Sequence, residues 1–217
     1  MDTKAYIFDL DGTLFDSMGV WLDIDIAFLK KRGIVAPADY ADAVLSMSFP
    51  EAAAYTIWRF ALPDSVESLL EEWRDMAVYA YGHTVQMKPY AKEYLLALRE
   101  RGVALAIATS STPELYEPAL RRHGISDWFH AICNAREVGC GKAQPDVFLL
   151  AAKKLGVAPS NCVVFEDILA AVKSAKRVGM TVYGVYDSAS EADWEEIKSV
   201  ADGVILDFQD APLPELT

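Results

Sequence analysis

Short, almost unbroken apolar runs recur along the chain, and each is followed by a stretch with helical spacing. The runs Ala5 to Phe8, Val103 to Ala108, Cys162 to Phe165 and Thr181 to Val185 read as strands buried on both faces, the pattern of a parallel sheet. Ala131 to Cys133 and Gly203 to Ile205 are weaker versions of the same signal. Pro89 can open a helix through Tyr94, Leu95 and Leu98 that Gly102 stops, and Pro113 another through Leu115 and Leu120 that ends at Gly124. Phe148, Leu149, Ala152 and Leu155 repeat the spacing up to Gly156, as do Ala171, Val172, Ala175 and Val178 up to Gly179. Trp194, Ile197 and Val200 suggest a last helix. Alternation of this kind predicts an α/β fold with a doubly wound, Rossmann-like and mostly parallel sheet.

Residues 17–86 break the rhythm. Four helical patterns (21–31, 38–45, 50–60 and 66–81) follow one another without a strand, punctuated by Pro37, Pro50 and Pro63. The predicted organisation is an α/β core of residues 1–16 and 87–217 carrying an inserted helical cap of residues 17–86. The rings Trp21, Tyr55, Trp58, Phe60, Trp73, Tyr79 and Tyr81 read as the packing of the cap's own core. Asp187, Glu191, Asp193, Glu195 and Glu196 read as a solvated acidic surface.

Composition narrows the function. The 217 residues are 53% apolar, enough for one well-filled core with an insertion. A net charge of −12 argues against nucleic acid and against anionic membrane surfaces, both of which select a basic footprint. No run reaches the roughly eighteen apolar residues of a membrane span. Lys4 leads straight into a strand and then acid, unlike a secretory leader, and Cys133, Cys140 and Cys162 lack zinc-type spacing. The expectation is a cytoplasmic protein with ordinary thiols, and nothing demands more than a monomer.

The candidate chemistry stands where strands end. Asp9-Leu10-Asp11-Gly12-Thr13 follows the first strand, and residues two apart on an extended chain share a face, so two carboxylates are crowded together. Like charges this close are costly without a cation or a shared proton. The second strong run ends in Thr109-Ser110-Ser111, hydroxyls and amides at a helix start that suit phosphate oxygens, although helix capping alone also explains them. The third ends in Glu166-Asp167. Lys142, before the Phe148 helix, would by itself read as a solvated lysine. In open parallel sheets ligands bind beyond the carboxyl ends of the strands, which is where these clusters fall.

Taken in order, Asp9-x-Asp11-Gly12-Thr13-Leu14-x-Asp16-Ser17, Thr109-Ser110-Ser111, Lys142-x-x-Pro145-Asp146 and Phe165-Glu166-Asp167 resemble the four motifs of the haloacid dehalogenase-like superfamily. With its helical insertion after the first motif, the chain is similar to the β-phosphoglucomutase and phosphoglycolate phosphatase branch. The resemblance implies that Asp9 is the nucleophile and Asp11 the general acid and base. It implies Mg²⁺ held by the Asp9 carboxylate, the Asp11 backbone carbonyl and Asp167, with Glu166 behind them or as a further ligand. Thr109 and the Ser110 amide would hold phosphate oxygens, and Lys142 would pair with Asp9 and the transferring phosphoryl group.

Some positions depart from the family's habit. Ala143 stands where Pro is common, and Ile168 and Ala171 replace Ser and Gly. The stretch Met18 to Asp25 lacks the histidine that the mutases carry there. Arg59, with Arg74 behind it, is the nearest counterpart of the arginine with which mutases grip a second phosphate. The implied activity is a Mg²⁺-dependent phosphatase of a small phosphorylated metabolite, a sugar or polyol phosphate. A phosphosugar mutase is the alternative. A non-catalytic binding protein would have lost a motif residue, and none is missing.

Overall fold

In the computed structural model, which describes residues 5–44 and 47–214, the apolar runs form one six-stranded sheet. Its strands are β1 (Ala5–Phe8), β4 (Ala104–Thr109), β5 (Ala131–Asn134), β6 (Cys162–Glu166), β7 (Thr181–Val185) and β8 (Gly203–Ile205), all parallel and in the order β5-β4-β1-β6-β7-β8. The chain leaves β1 toward β4 on one side and later returns to β6 on the other. The reversal of direction falls between β1 and β6, the place where open sheets of this class open a crevice. Phe8 pairs in register with Phe165, so Asp9 stands level with Glu166 just past the ladder.

Alternation along the strands sorts side chains between the two faces. Ala5 and Ile7, with Ala106, Ala108, Val164 and Val182, pack against buried residues of α8 (Asp146–Leu155) and α9 (Leu169–Arg177). Tyr6 and Phe8 point the other way, where Phe8 stacks on Phe165 at 5.1 Å and Phe165 on Tyr183 at 5.4 Å. Tyr94 of α5 (Ala91–Glu100) meets Phe165 edge-on at 5.6 Å and closes that layer. Pro113 does begin α6 (Pro113–His123). Pro89 does not begin α5, because Tyr90 at its N-cap adopts φ 60°, a left-handed backbone that ends the approach before the helix starts.

Two features had no signal in the apolar pattern. A two-residue ribbon, β2 (Phe15–Asp16) with β3 (Gln86–Met87), is too short to show a period. After it, Lys88 donates 2.6 Å to Asp187 and 3.2 Å to the Tyr186 carbonyl. Asp187 therefore does not belong to a solvated acidic surface. It is 3% exposed, paired with Lys88, and accepts from the Ala189 amide beyond β7.

The chain divides into two compact units, Met1–Met18 with Val85–Thr217, and Gly19–Thr84. The second unit is helical: α1 (Val20–Lys31), α2 (Tyr40–Val44), α3 (Phe49–Phe60) and α4 (Val66–His83). The expected end of the second helix at residue 45 lies outside the described residues. In α4, Leu69, Trp73, Ala77 and Tyr81 repeat every four residues and are buried, and Trp73 meets Phe28 of α1 edge-on at 5.9 Å. Trp58 and Tyr79 do not join that core and are 76% and 62% exposed. Trp58 lies two residues from buried Thr56, about 200° around the helix, so the phase of α3 turns it outward. Among the described residues no helix is long and apolar enough to cross a membrane.

Candidate active site

The loop after β1 is folded tightly by its own sequence. The Phe15 amide donates back to the Leu10 carbonyl at 2.7 Å, and Ser17 Oγ donates to Asp11 Oδ1 at 2.7 Å. Gly12 sits at φ +84°, and a Cβ added there would lie 2.3 Å from Asp167 Oδ2. Glycine is therefore needed twice over, for its backbone angle and for the close approach of the loop after β6. Thr13 Oγ1 completes that junction by donating 3.0 Å to Asp167 Oδ1.

This packing gathers acids from two adjacent strands. One carboxylate oxygen each from Asp9, Glu166 and Asp167 lies within 4.8 Å of the others, and all three residues are buried. Asp11 has its side chain on Ser17 rather than in that cluster. Lys142 is buried as well, unlike the solvated lysine its position suggested. Its ammonium donates to Asp9 Oδ1 and, at 2.6 Å, to Glu166 Oε2. The Lys142 carbonyl is fixed in turn by Ser174 Oγ of α9 at 2.5 Å.

One ammonium thus faces three buried carboxylates. Burial, the largest influence, pushes the Asp9 carboxyl up to about 7; Lys142 opposes this, while Glu166 and Asp11 add to it. Burial, then Glu166 and Asp9, push Asp167 up to about 9. For Lys142, burial pulls downward, but Asp9 and Glu166 outweigh it and hold the ammonium above its ordinary value. Asp9 and Asp167 rise chiefly because burial disfavours their charge, and Lys142 rises because two acids hold its proton.

The three carboxylates differ in what they have left to offer. Glu166 spends Oε2 on Lys142 and Oε1 on the Asp167 and Ile168 amides, at 3.2 and 3.1 Å. Asp167 has Oδ1 on Thr13, but its Oδ2 is buried with no hydrogen-bond partner. A buried polar group left unpaired costs roughly 1–3 kcal/mol, more when charged, so stability does not account for it. An oxygen donor set with one orphaned carboxylate oxygen suits a hard divalent cation.

Beside β1, Thr109 ends β4 fully buried, and its Oγ1 accepts from the Ser111 amide at 2.9 Å. Ser110 is exposed. Asn134, which pairs in register with Thr109 across β4 and β5, donates through Nδ2 to the Ser111 carbonyl. It also caps α7 (Ala135–Val138), with Oδ1 accepting from the Arg136 amide at 2.7 Å. The sequence reading passed over Asn134, since an asparagine before a short helix reads as a cap and nothing more. The Cys140 thiol is held above its ordinary value, first by burial and then by its hydrogen bond to Asp146.

In the helical unit, Arg59 is not free to grip a second phosphate. Its Nη2 donates to both carboxylate oxygens of Asp39, at 2.8 and 2.9 Å, and its Nη1 donates to the Tyr55 hydroxyl at 2.6 Å. Arg74 is exposed. A groove of about 650 Å³ runs between α1 and α4, lined by Val20, Ile24, Ala27 and Met76 together with Asp23 and Asp75. Lys31, also at that groove, is paired with Glu72 at 3.1 Å.

Comparison with known proteins agrees with this geometry. A sequence model of the haloacid dehalogenase-like hydrolases matches residues 3–179. A phosphorylated carbohydrates phosphatase of Thermotoga maritima is 25% identical over 189 residues, covering 87% of this chain and 88% of its own. A Drosophila melanogaster protein named as a candidate pseudouridine-5'-phosphatase is 31% identical over 187 residues, covering 83% of this chain and 80% of its own. The crystal structure of a candidate β-phosphoglucomutase from Thermotoga maritima superposes with a TM-score of 0.83 at 24% identity, covering 94% of each chain, a likeness of fold.

Proposed function

The chain belongs to the haloacid dehalogenase-like hydrolases, and from that premise we propose that it is a Mg²⁺-dependent phosphatase of a small sugar or polyol phosphate. The observation that carries this reading is the partnerless, buried Asp167 Oδ2 within a cluster that also holds Asp9 and Glu166. Asp9, the Asp11 backbone carbonyl and Asp167 hold the metal, with Glu166 as a further acid whose oxygens are already engaged. When bound, the cation supplies the positive charge that lets a phosphate dianion approach three carboxylates.

Asp9 attacks phosphorus through one carboxylate oxygen, and the ester P–O bond to the leaving group breaks. Asp11, whose orientation Ser17 fixes, gives its proton to the departing oxygen. Water then attacks the aspartyl-phosphate, Asp11 takes its proton, and orthophosphate leaves with Asp9 restored. Lys142 keeps the Asp9 carboxylate aimed and adds positive charge beside the transferring group. Thr109 and the Ser110 amide hold phosphate oxygens.

The helical unit Gly19–Thr84 is the expected source of leaving-group selection. Within it, Arg59, the nearest counterpart of a mutase's phosphate-gripping arginine, is already paired with Asp39. That favours a phosphatase of monophosphates over a mutase. Phosphate release from a panel of sugar and polyol monophosphates, with Mg²⁺ or with chelator, tests the reading. Metal-dependent release that Asp9→Asn abolishes is expected. Conversion of β-glucose 1-phosphate to its 6-phosphate without release of phosphate would instead identify a mutase.

A further inference from the structure

We propose that Asn134 is a positioning residue for phosphate, a latch that holds the Thr109–Ser111 loop in its binding shape; this rests on the phosphatase reading above. The Ser111 peptide is gripped at both ends, its N–H by Thr109 Oγ1 at 2.9 Å and its carbonyl by Asn134 Nδ2. Asn134 is only 6% exposed and stands beside Thr109 in the ladder, so the latch is anchored in the sheet itself. Its other amide atom is fixed too, with Oδ1 on the Arg136 amide, and the Asn134 N–H donates 2.9 Å to Glu137 Oε1. Glu137 Oε2 is paired with Lys154 at 3.0 Å.

A cap alone needs only the acceptor oxygen of this side chain. Aspartate supplies that oxygen equally well. What it lacks is a donor aimed at Ser111, and that donor is the part of Asn134 that bears on the loop. Asn134 touches none of the three carboxylates of the cluster, so its effect belongs to phosphate affinity and not to the metal.

The test compares the whole protein with Asn134→Asp, which keeps the capping oxygen but puts an acceptor where the amide donated to the Ser111 carbonyl, and with Asn134→Ala, which loses both. Orthophosphate binding with Mg²⁺ present is read by calorimetry, and turnover with p-nitrophenyl phosphate. Both variants are expected to weaken orthophosphate binding and raise KM together by roughly ten- to a hundred-fold, with a much smaller change in kcat. The Mg²⁺ concentration for half-activation should not move. A purely structural cap would lower Tm in Asn134→Ala alone and leave orthophosphate affinity unchanged in Asn134→Asp, which overturns the proposal. Should Asn134→Ala not fold, Asn134→Asp decides, measured at low and high salt, where a loss that salt abolishes is charge repulsion alone and also overturns the proposal. If the parent protein binds orthophosphate but turns nothing over, the phosphatase reading fails while the binding comparison still decides the latch. If the parent does not bind orthophosphate, the latch fails with it.

Discussion

At the scale of single residues, the site is assembled against local stability. Asp167 keeps one oxygen buried and unpaired, and Gly12 leaves no room for even a methyl group beside it. Asp167→Asn should therefore be neutral or stabilising without metal, because it removes an acid whose ionised form burial and its neighbours disfavour. The same change should lower metal-activated turnover by at least about a hundred-fold, the scale of losing a fixed electrostatic partner. Thermal melts with and without Mg²⁺ check both halves, and the Mg²⁺-induced rise in Tm should vanish in the variant. Gly12→Ala should do the opposite in the metal-free protein. It forces a left-handed backbone and a collision with Asp167, costing on the order of 1–3 kcal/mol in denaturant unfolding. The carboxylates and the lysine were legible because their order and spacing are specific. Asn134 was not, because one side chain performs two jobs and the commoner job explains its presence.

At the scale of elements, strands and helices follow the apolar pattern closely where burial is two-sided. Thr181–Val185 and Gly203–Ile205 fall where the pattern put them, and β4 and β6 each run one residue further, into the candidate site residues Thr109 and Glu166. What the pattern missed depends on contacts distant in sequence. The β2–β3 ribbon joins residues some seventy apart, and Asp187 is buried only because Lys88 reaches it. Trp58 and Tyr79 show the converse, rings that a composition argument puts inside and that helix phase puts outside. Asp25 in α1 gives a prediction for an element. Burial alone pushes its carboxyl up to about 7. An acid raised in the folded state favours folding while protonated, and that contribution is lost as pH rises from the ordinary carboxylate range through about 7. Asp25→Asn should therefore melt higher than the parent protein at pH 8, and the difference should close below pH 4. A constant difference across that range would show that the group does not titrate as its burial implies.

At the scale of the whole molecule, the sheet explains why residues from three separate motifs meet. The reversal of strand order between β1 and β6 opens a gap, and the register of Phe8 with Phe165 sets the acids level across it. Lys142, brought in before α8 and held by Ser174, supplies a cation of the chain's own to Asp9 and Glu166. The substrate's organic part was not legible, because it depends on the shape of a helical unit whose spacing encodes its packing and not its binding surface. The central claim is that these acids surround a divalent ion so that Asp9 can take a phosphoryl group. Mass analysis of the peptide carrying Asp9, after acid quench of turnover with p-nitrophenyl phosphate, tests it most directly. One added phosphoryl group on that peptide is expected when Mg²⁺ is present, and none after chelation or in Asp9→Asn. Undiminished phosphate release in the presence of chelator, with Asp9 never modified, would contradict the account.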